Sequence, residues 1–320
     1  LIVEDIAYGD FNVRYVQLLA SLMGTIIARN AAPELARAWV PRLVAGDAIV
    51  ALGLTEPRGG SDAGNLALQA RRDGEHYVLR GEKASISFSD QADSMVLFAR
   101  TGAAGSGAHG VTAFLVPLGL PGVQRTRYDD LGSKLVGRGS IFLDDVRIPA
   151  DHRIGAEGKG FTQVMQGFDY SRVLIALQCI AVAQASIDET WTYVQDRKTF
   201  GLALAQYQGV TFPLVEYETM LAAARQLCYH ALELRDAGRP HTAEAAMVKW
   251  FAPKTAFDAI HQCLLTFGHV GWSKDLPHQQ RLRDVMGLEI GDGTAQVMKL
   301  VVARERVGKV AVQYAKQGPN

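Results

Sequence analysis

The order in which three sequence textures succeed one another constrains this chain more than any single motif. Residues 1–48 carry a helical period, with Ile6, Phe11, Val16, Leu18 and Leu19 leading into an alanine-rich stretch. Pro33 falls at a helix start with Glu34 in its first turn, and Gly46 follows the last periodic residue. From 49 to 153 the pattern shortens to β-type runs at 77–79, 86–88, 95–98, 111–116 and 140–143, with Asp73-Gly74 as a hairpin signal. From 154 to 320 long helical periods return, at 161–194, 207–235, 242–267 and 294–314. Four long helices with short connections imply an antiparallel bundle. Nowhere do strands and helices alternate, so a parallel dinucleotide-binding sheet is disfavoured. The expected architecture is α+β and multidomain: helices, then an all-β module, then a helical bundle.

Charge narrows the function classes. Lys plus Arg and Asp plus Glu each number 33, so the formal net charge is zero and no global field favours nucleic acid or an anionic membrane. No apolar run reaches the roughly 18 residues of a membrane span. The cysteines, Cys179, Cys228 and Cys263, lie far apart, which argues against a disulfide framework or zinc site and for a reducing, cytoplasmic setting. The opening Leu1-Ile2-Val3-Glu4-Asp5 reads as the inside of a helical element rather than a signal peptide, so residues upstream are expected to be missing.

Several motifs fail on context. Gly105-Ser106-Gly107-Ala108-His109-Gly110 spells G-x-G-x-x-G, yet a β-run follows where a helix N-terminus must meet a pyrophosphate. Neither Ser61 nor Ser140 has the glycines of a nucleophile elbow, and the eight histidines never adopt metal-ligand spacing. The turn Thr55-Glu56-Pro57-Arg58-Gly59-Gly60-Ser61-Asp62 is more informative, because two glycines beside a rigid proline expose main-chain N–H groups to a ligand.

With its neighbour Leu54, that turn resembles the flavin-binding signature of the acyl-CoA dehydrogenases. The resemblance continues through Gly81-Glu82-Lys83-Ala84-Ser85-Ile86-Ser87, Asp144-Asp145-Val146-Arg147-Ile148-Pro149 and Gly155-Ala156-Glu157-Gly158-Lys159-Gly160-Phe161. Asp196-Arg197-Lys198-Thr199-Phe200-Gly201 and Gly291-Asp292-Gly293-Thr294-Ala295-Gln296 complete it. Six segments in the right order cover nearly the whole chain. The resemblance implies a truncated N-terminal helical domain, a middle β-barrel and a C-terminal four-helix bundle. It also implies bound FAD, dehydrogenation of an acyl-CoA thioester, electron transfer to an electron-transfer flavoprotein, and a homotetramer. By the same likeness Leu54, Thr55, Gly60, Ser61, Ser85, Ser87, Thr294 and Gln296 fall at cofactor positions. Arg197, Thr199, Phe200 and Gln208 fall on the strip that holds the ADP half across a subunit interface, where a guanidinium fork suits a pyrophosphate. Leu265 and His269 stand at the loop meeting the adenosine half. Ser61, Asp169, Arg172 and Gly293 are substrate-side, although Asp169 and Arg172, three apart on one helix, also suit a plain ion pair.

The departures bear on chemistry. The family usually carries its base as a Glu ahead of Gly-Thr; here the residue is Asp292, one methylene shorter. About 1 Å of misplacement costs on the order of a hundredfold in rate, so either the substrate carries its proton nearer the base or Asp292 is not the base. Ser171 fills the slot where another subset carries its Glu, so no replacement carboxylate stands there. Ser85 replaces a tryptophan that shields the flavin, while Leu265 and His269 replace a glutamine and a glycine. An Asp base resembles both the nitroalkane oxidases of the same fold and dehydrogenases of cyclic substrates such as cyclohexane- or cyclohexene-carboxyl-CoA. Ser85-Ile86-Ser87 with the segment 291–296 favours the latter branch, and Asp169 with Arg172 favours a CoA thioester. The expectation is therefore dehydrogenation of a cyclic or branched acyl-CoA. A flavin oxidase, or a flavoprotein that only binds DNA or another partner, is the alternative.

Overall fold

A computed structural model of the chain describes residues 1–103 and 106–312 and divides them between two compact units. One comprises residues 15–168; the other comprises residues 1–14 and those from 169 onward. Three helices come first, α1 (Ile2–Gly9), α2 (Phe11–Asn30) and α3 (Pro33–Ala45). Pro33 occupies the first turn of α3, where a missing N–H costs nothing, and Gly46 ends the helix at φ 79°.

The 15–168 unit is built on an eight-stranded sheet. Its strands are β1 (Val50–Gly53), β2 (Gln69–Asp73), β3 (His76–Ile86), β4 (Ser94–Arg100), β5 (Val111–Pro117), β6 (Val123–Arg125), β7 (Gly139–Pro149) and β8 (Arg153–Ile154). The order is β6-β7-β3-β2-β4-β5-β8, with β1 parallel to β4. β4 and β5 are buried almost end to end, which is why they read as continuous apolar runs rather than as alternation. Leu19, Leu22, Met23, Ile26 and Ile27 of α2 close one core with Leu79, Val96, Phe98, Phe114 and Ile148. The hairpin expected at Asp73-Gly74 forms, with Asp73 opposite His76 and Gly74 at φ 60°.

One β reading changes, and the G-x-G-x-x-G keeps the loop-then-strand context expected of it. The run at 86–88 is not wholly strand: β3 ends at Ile86, and Phe88 turns away at φ 59° with its side chain buried. An apolar turn residue had extended the apparent strand. Gly105 of the G-x-G-x-x-G lies outside the described residues, while Gly107–Gly110 form a short 3-10 turn leading straight into β5.

The second unit follows α4 (Gly160–Asp196) from Asp169 onward. A small hairpin, β9 (Lys198–Thr199) and β10 (Leu202–Ala203), precedes α5 (Gln208–Asp236), α6 (Thr242–Thr266), α7 (His278–Ile290) and α8 (Ala295–Val307). Residues 171–183 of α4 are buried without interruption, as befits a helix surrounded on all sides. From α4 onward the described residues thus carry one α-helix more than the periodicity showed. α7 escaped because its buried residues are His278, Asp284, Val285 and Leu288, two of them polar, so no apolar stripe marks it. Positions 313 and 314, expected in the last helix, lie outside the described residues.

The membrane expectation also changes. α2 and α4 are each long and apolar enough to cross a membrane, because scattered polar residues barely dilute them. In α4, 89% of that apolar stretch is buried inside the protein, the mark of a core helix.

Candidate active site

Asp292 lies in the link 291–294 between α7 and α8. The link bends sharply, with Asp292 at φ 56° and Gly293 at φ 103°. Aspartate tolerates the left-handed region better than most side chains. A Cβ on residue 293 would meet Met298 Cε at 2.5 Å, so glycine is required there. Thr294 then caps α8, its hydroxyl accepting from Val297 N–H at 3.2 Å. Strain of this kind persists only where surrounding structure fixes it, and functional sites are where it collects.

The Asp292 carboxylate is half-buried and has no hydrogen-bond partner among the described residues. Burial raises its pKa above the ordinary aspartate value, while the charges of Lys249 and Arg172 work in the other direction. Its N–H likewise donates to no protein acceptor among the described residues. The α8 N-terminus favours the anion, while partial burial with no protein donor on the carboxylate raises its proton affinity, so the group is both ionised and able to take a proton.

The residues around it form a chain of polar contacts. Arg172 donates to Asp169 at 2.8 Å, and Thr242, in the first turn of α6, donates to the other Asp169 oxygen at 2.7 Å. The Asp169–Arg172 pair expected from their spacing does form, but it is largely buried rather than at the surface. Burial depresses the Arg172 pKa, against the pull of Asp169 and Asp292.

Sequence reasoning missed Lys249 on α6, which is 1% exposed and donates to the carbonyls of Leu288 at 2.6 Å and Gly293 at 3.1 Å. A single cation inside Met247-Val248-Lys249-Trp250-Phe251 was the available signal. It also missed Arg14, whose fully buried guanidinium has no hydrogen-bond partner among the described residues and whose pKa burial lowers to about 10.

The flavin-signature turn belongs to the other unit. Thr55 carbonyl accepts from Ala84 N–H at 2.9 Å, and Lys83 donates to the Leu54 carbonyl at 3.0 Å, which docks the turn on β3. Beneath it Glu56, 4% exposed, accepts from Lys83 and from the N–H groups of Ala67 and Leu68. Gly60 packs so closely that a Cβ would sit 3.3 Å from Thr55 Oγ1. Ser85 occupies the second bulge of β3, between Lys83 and Ile86, at φ 58°, and a bulge re-aims the side chain it carries. Ser87 Oγ lies 3.1 Å from Tyr15 Oη. Leu54, Thr55, Gly60 and Ser85 are thereby joined on one edge of the unit, with Ser61 next along the turn. The hydroxyls of Thr55, Ser61 and Ser85 are unengaged among the described residues. A close-packed glycine cradle edged by unengaged hydroxyls fits the polar rim of a flavin.

Arg197, Thr199, Phe200 and Gln208 gather at the β9–β10 hairpin and the first turn of α5. The two-residue hairpin turn Phe200-Gly201 has both φ values positive, 50° and 82°, as such hairpins require. Phe200 is an unusual choice there and is 94% exposed. Leu265 and His269 flank this region, because Phe267 between them stacks on Tyr193 of α4 at 4.1 Å. Arg197 has no carboxylate partner among the described residues, as suits a pyrophosphate ligand. These residues do not join Asp292. Arg172 and Arg197 are separated by roughly 37 Å of helix at about 1.5 Å per residue. Gly293 and Thr294 adjoin Asp292, and Gln296 is exposed in the first turn of α8.

Comparison with known proteins shows the family. The acyl-CoA dehydrogenase middle-domain model matches residues 51–146 and the acyl-CoA dehydrogenase C-terminal-domain model matches 158–306. The probable acyl-CoA dehydrogenase YngJ of Bacillus subtilis is 36% identical over 82% of this chain and 70% of its own length. The mitochondrial short-chain specific acyl-CoA dehydrogenase of Bos taurus is 38% identical over 83% of this chain. This chain spans 64% of that relative's length. The butyryl-CoA dehydrogenase structure from Megasphaera elsdenii superposes with a TM-score of 0.91 at 30% identity, covering 95% of this chain and 80% of that one. The chain belongs to the acyl-CoA dehydrogenase family of FAD-dependent oxidoreductases.

Proposed function

We propose that this protein desaturates an acyl-CoA thioester between its α and β carbons, with Asp292 as the base. The observation carrying this reading is the Asp292 carboxylate: half-buried, without donors, raised in pKa, and fixed on a strained bend. FAD, when bound, supplies the acceptor for the β-hydrogen, which leaves as hydride. Asp292 takes the α-proton, and the α-carbon's electron pair becomes the new double bond. The unengaged N–H of Asp292 is suited to hold the thioester oxygen, on which charge builds as the proton departs. Asp169 and Thr242 hold Arg172 in place, and its positive charge helps keep Asp292 ionised until substrate arrives.

We further propose a cyclic or branched acyl group. Two features support it: a base one methylene short of the family's Glu, which suits an α-carbon set closer to the main chain, and small Ser85 on its bulge. The names of relatives, short-chain specific and butyryl-CoA dehydrogenase, make an unbranched C4 thioester the natural comparator. An oligomer, as in the homotetramer the resemblance implies, is supported by the roughly 37 Å of helix between Arg172 and Arg197. Reoxidation by an electron-transfer flavoprotein completes the proposal and rests on family membership.

The test is anaerobic titration of the yellow protein with cyclohexanecarboxyl-, cyclohexenecarboxyl-, isobutyryl- and butyryl-CoA, following flavin absorbance. Faster bleaching by a cyclic or branched thioester supports the assignment, and butyryl-CoA as the best substrate removes the acyl-group part. No bleaching by any thioester, with oxygen consumption on a small nitroalkane, would establish an oxidase instead. Failure on both, with salt-sensitive DNA retention, would establish a binding protein.

A further inference from the structure

Lys249 is a charged group that the chemistry above does not consume, yet its placement is specific. It sits mid-way along α6, 1% exposed, among Met247, Val248, Trp250 and Phe251. Its ammonium donates to the Leu288 carbonyl at 2.6 Å and the Gly293 carbonyl at 3.1 Å. Leu288 is in the last turn of α7, where carbonyls have no partner within the helix, and Gly293 immediately follows Asp292. One ammonium therefore ties together both ends of the bend that presents the carboxylate. It makes no direct ion pair with Asp292, but Asp292 is the strongest of the charges facing it. The others are Cys179 and Arg172 from α4 and Glu289 from α7. Burial lowers its pKa to about 8, against the pull of Asp292, so at neutral pH it stays charged.

A buried cation costs several kcal/mol unless its surroundings repay it. A packed α6 alone has no use for one, since methionine has a similar shape and no charge to desolvate. We propose that Lys249 is the positioning residue of the active site, locking the 288–293 bend so that Asp292 meets the α-carbon and supplying the positive field in which that carboxylate titrates. This rests on Asp292 being the base.

The test uses holoenzyme carrying Lys249→Met or Lys249→Arg, with Asp292→Asn in parallel. In Lys249→Met the loss of positive charge raises the proton affinity of Asp292. The acid limb of kcat/KM moves up by about one pH unit, a tenfold loss on the acid side. Above that limb kcat falls about a hundredfold, the effect of roughly 1 Å of misplacement, while KM changes little. Lys249→Arg keeps the charge but cannot place both bonds, so its acid limb stays in place and its plateau rate falls. An infrared carboxyl band, assigned by its disappearance in Asp292→Asn, reads the same titration without turnover, and its midpoint rises in Lys249→Met. An unmoved limb and band with a plateau within about twofold of wild type overturn the proposal. If Lys249→Met yields no holoenzyme, a wild-type plateau rate in Lys249→Arg overturns it. Bleaching by Asp292→Asn at the wild-type rate would sink the base assignment itself. An inactive Asp292→Asn beside a wild-type-like Lys249→Met would sink only the role of Lys249.

Discussion

Replacing Glu56 with glutamine asks whether the turn bearing Thr55, Gly60 and Ser61 is held by a buried charge. Its carboxylate takes three donors: Lys83 Nζ at 2.9 Å, Ala67 N–H at 2.7 Å and Leu68 N–H at 2.9 Å. Lys83 has no exposure and, among the described residues, only one other acceptor, the Leu54 carbonyl. Even so paired, burial pulls the Lys83 pKa from 10.5 to about 8, a residual penalty of about 3 kcal/mol. The Glu56 pKa is lowered overall, because Lys83 and the two N–H groups outweigh a burial that by itself would raise it. Glutamine removes the counter-charge and turns an NH2 group toward a donor, stranding one N–H as well. Breaking one side of such a pair costs about 3–5 kcal/mol near pH 7. The direction with pH follows from the lysine. Its folded pKa lies below its unfolded value, so between about 8 and 10.5 the folded protein sheds the proton first and gains stability as pH rises. Without Glu56 that folded pKa drops further, so near pH 9.5 Lys83 is mostly neutral in both proteins. Only the stranded N–H then separates them, by about 1–2 kcal/mol. Urea unfolding followed by tryptophan fluorescence at the two pH values measures both differences. A loss below about 1 kcal/mol near pH 7, or one that does not shrink with rising pH, would refute the reasoning.

Other expectations come from groups the structure buries without compensation or uses as caps. Arg14→Met removes a guanidinium that has no partner among the described residues, and should raise stability by about 1–4 kcal/mol in the same unfolding assay; a loss would show that the cation is compensated. His278 is buried against Phe267 with its pKa lowered to about 4, first by burial and then by Arg281, with Glu189 opposing. Its folded pKa is depressed, so stability falls as pH drops from about 6.5 toward 4, by up to about 3 kcal/mol. His278→Phe should flatten that part of the pH–stability curve, and an unchanged slope would assign the effect elsewhere. Thr294→Ala removes the α8 cap and should cost about 1 kcal/mol while lowering kcat more than it raises KM. A variant with unchanged kcat would detach the cap from the geometry of Asp292.

Those residues also mark how far the sequence could be read. The helix–sheet–helix order was legible because α2, β4, β5 and α4 carry their apolar periods in the open. α7 was not, because His278 and Asp284 occupy inward positions that a hydropathy pattern scores as solvent-facing. Asp292 stood out through Gly-Asp-Gly-Thr, in which Asp292 takes the left-handed bend, Gly293 allows the close approach of Met298 and Thr294 caps the helix. Lys249 did not, because its partners are main-chain carbonyls 39 and 44 residues away, and a backbone acceptor leaves no trace in residue type. The resemblance already assigned Arg197 to a site shared across a subunit interface, and the length of α4 puts a scale on its separation from Arg172.

The most direct measurement is the anaerobic bleaching rate of the Asp292→Asn holoenzyme with the best thioester substrate. Asparagine keeps the size and the bend but cannot accept a proton. The account predicts a protein that stays yellow, binds thioester with little change in affinity, and bleaches at least about a thousandfold more slowly than wild type. Bleaching at a rate close to wild type would contradict it and require a different group to take the α-proton.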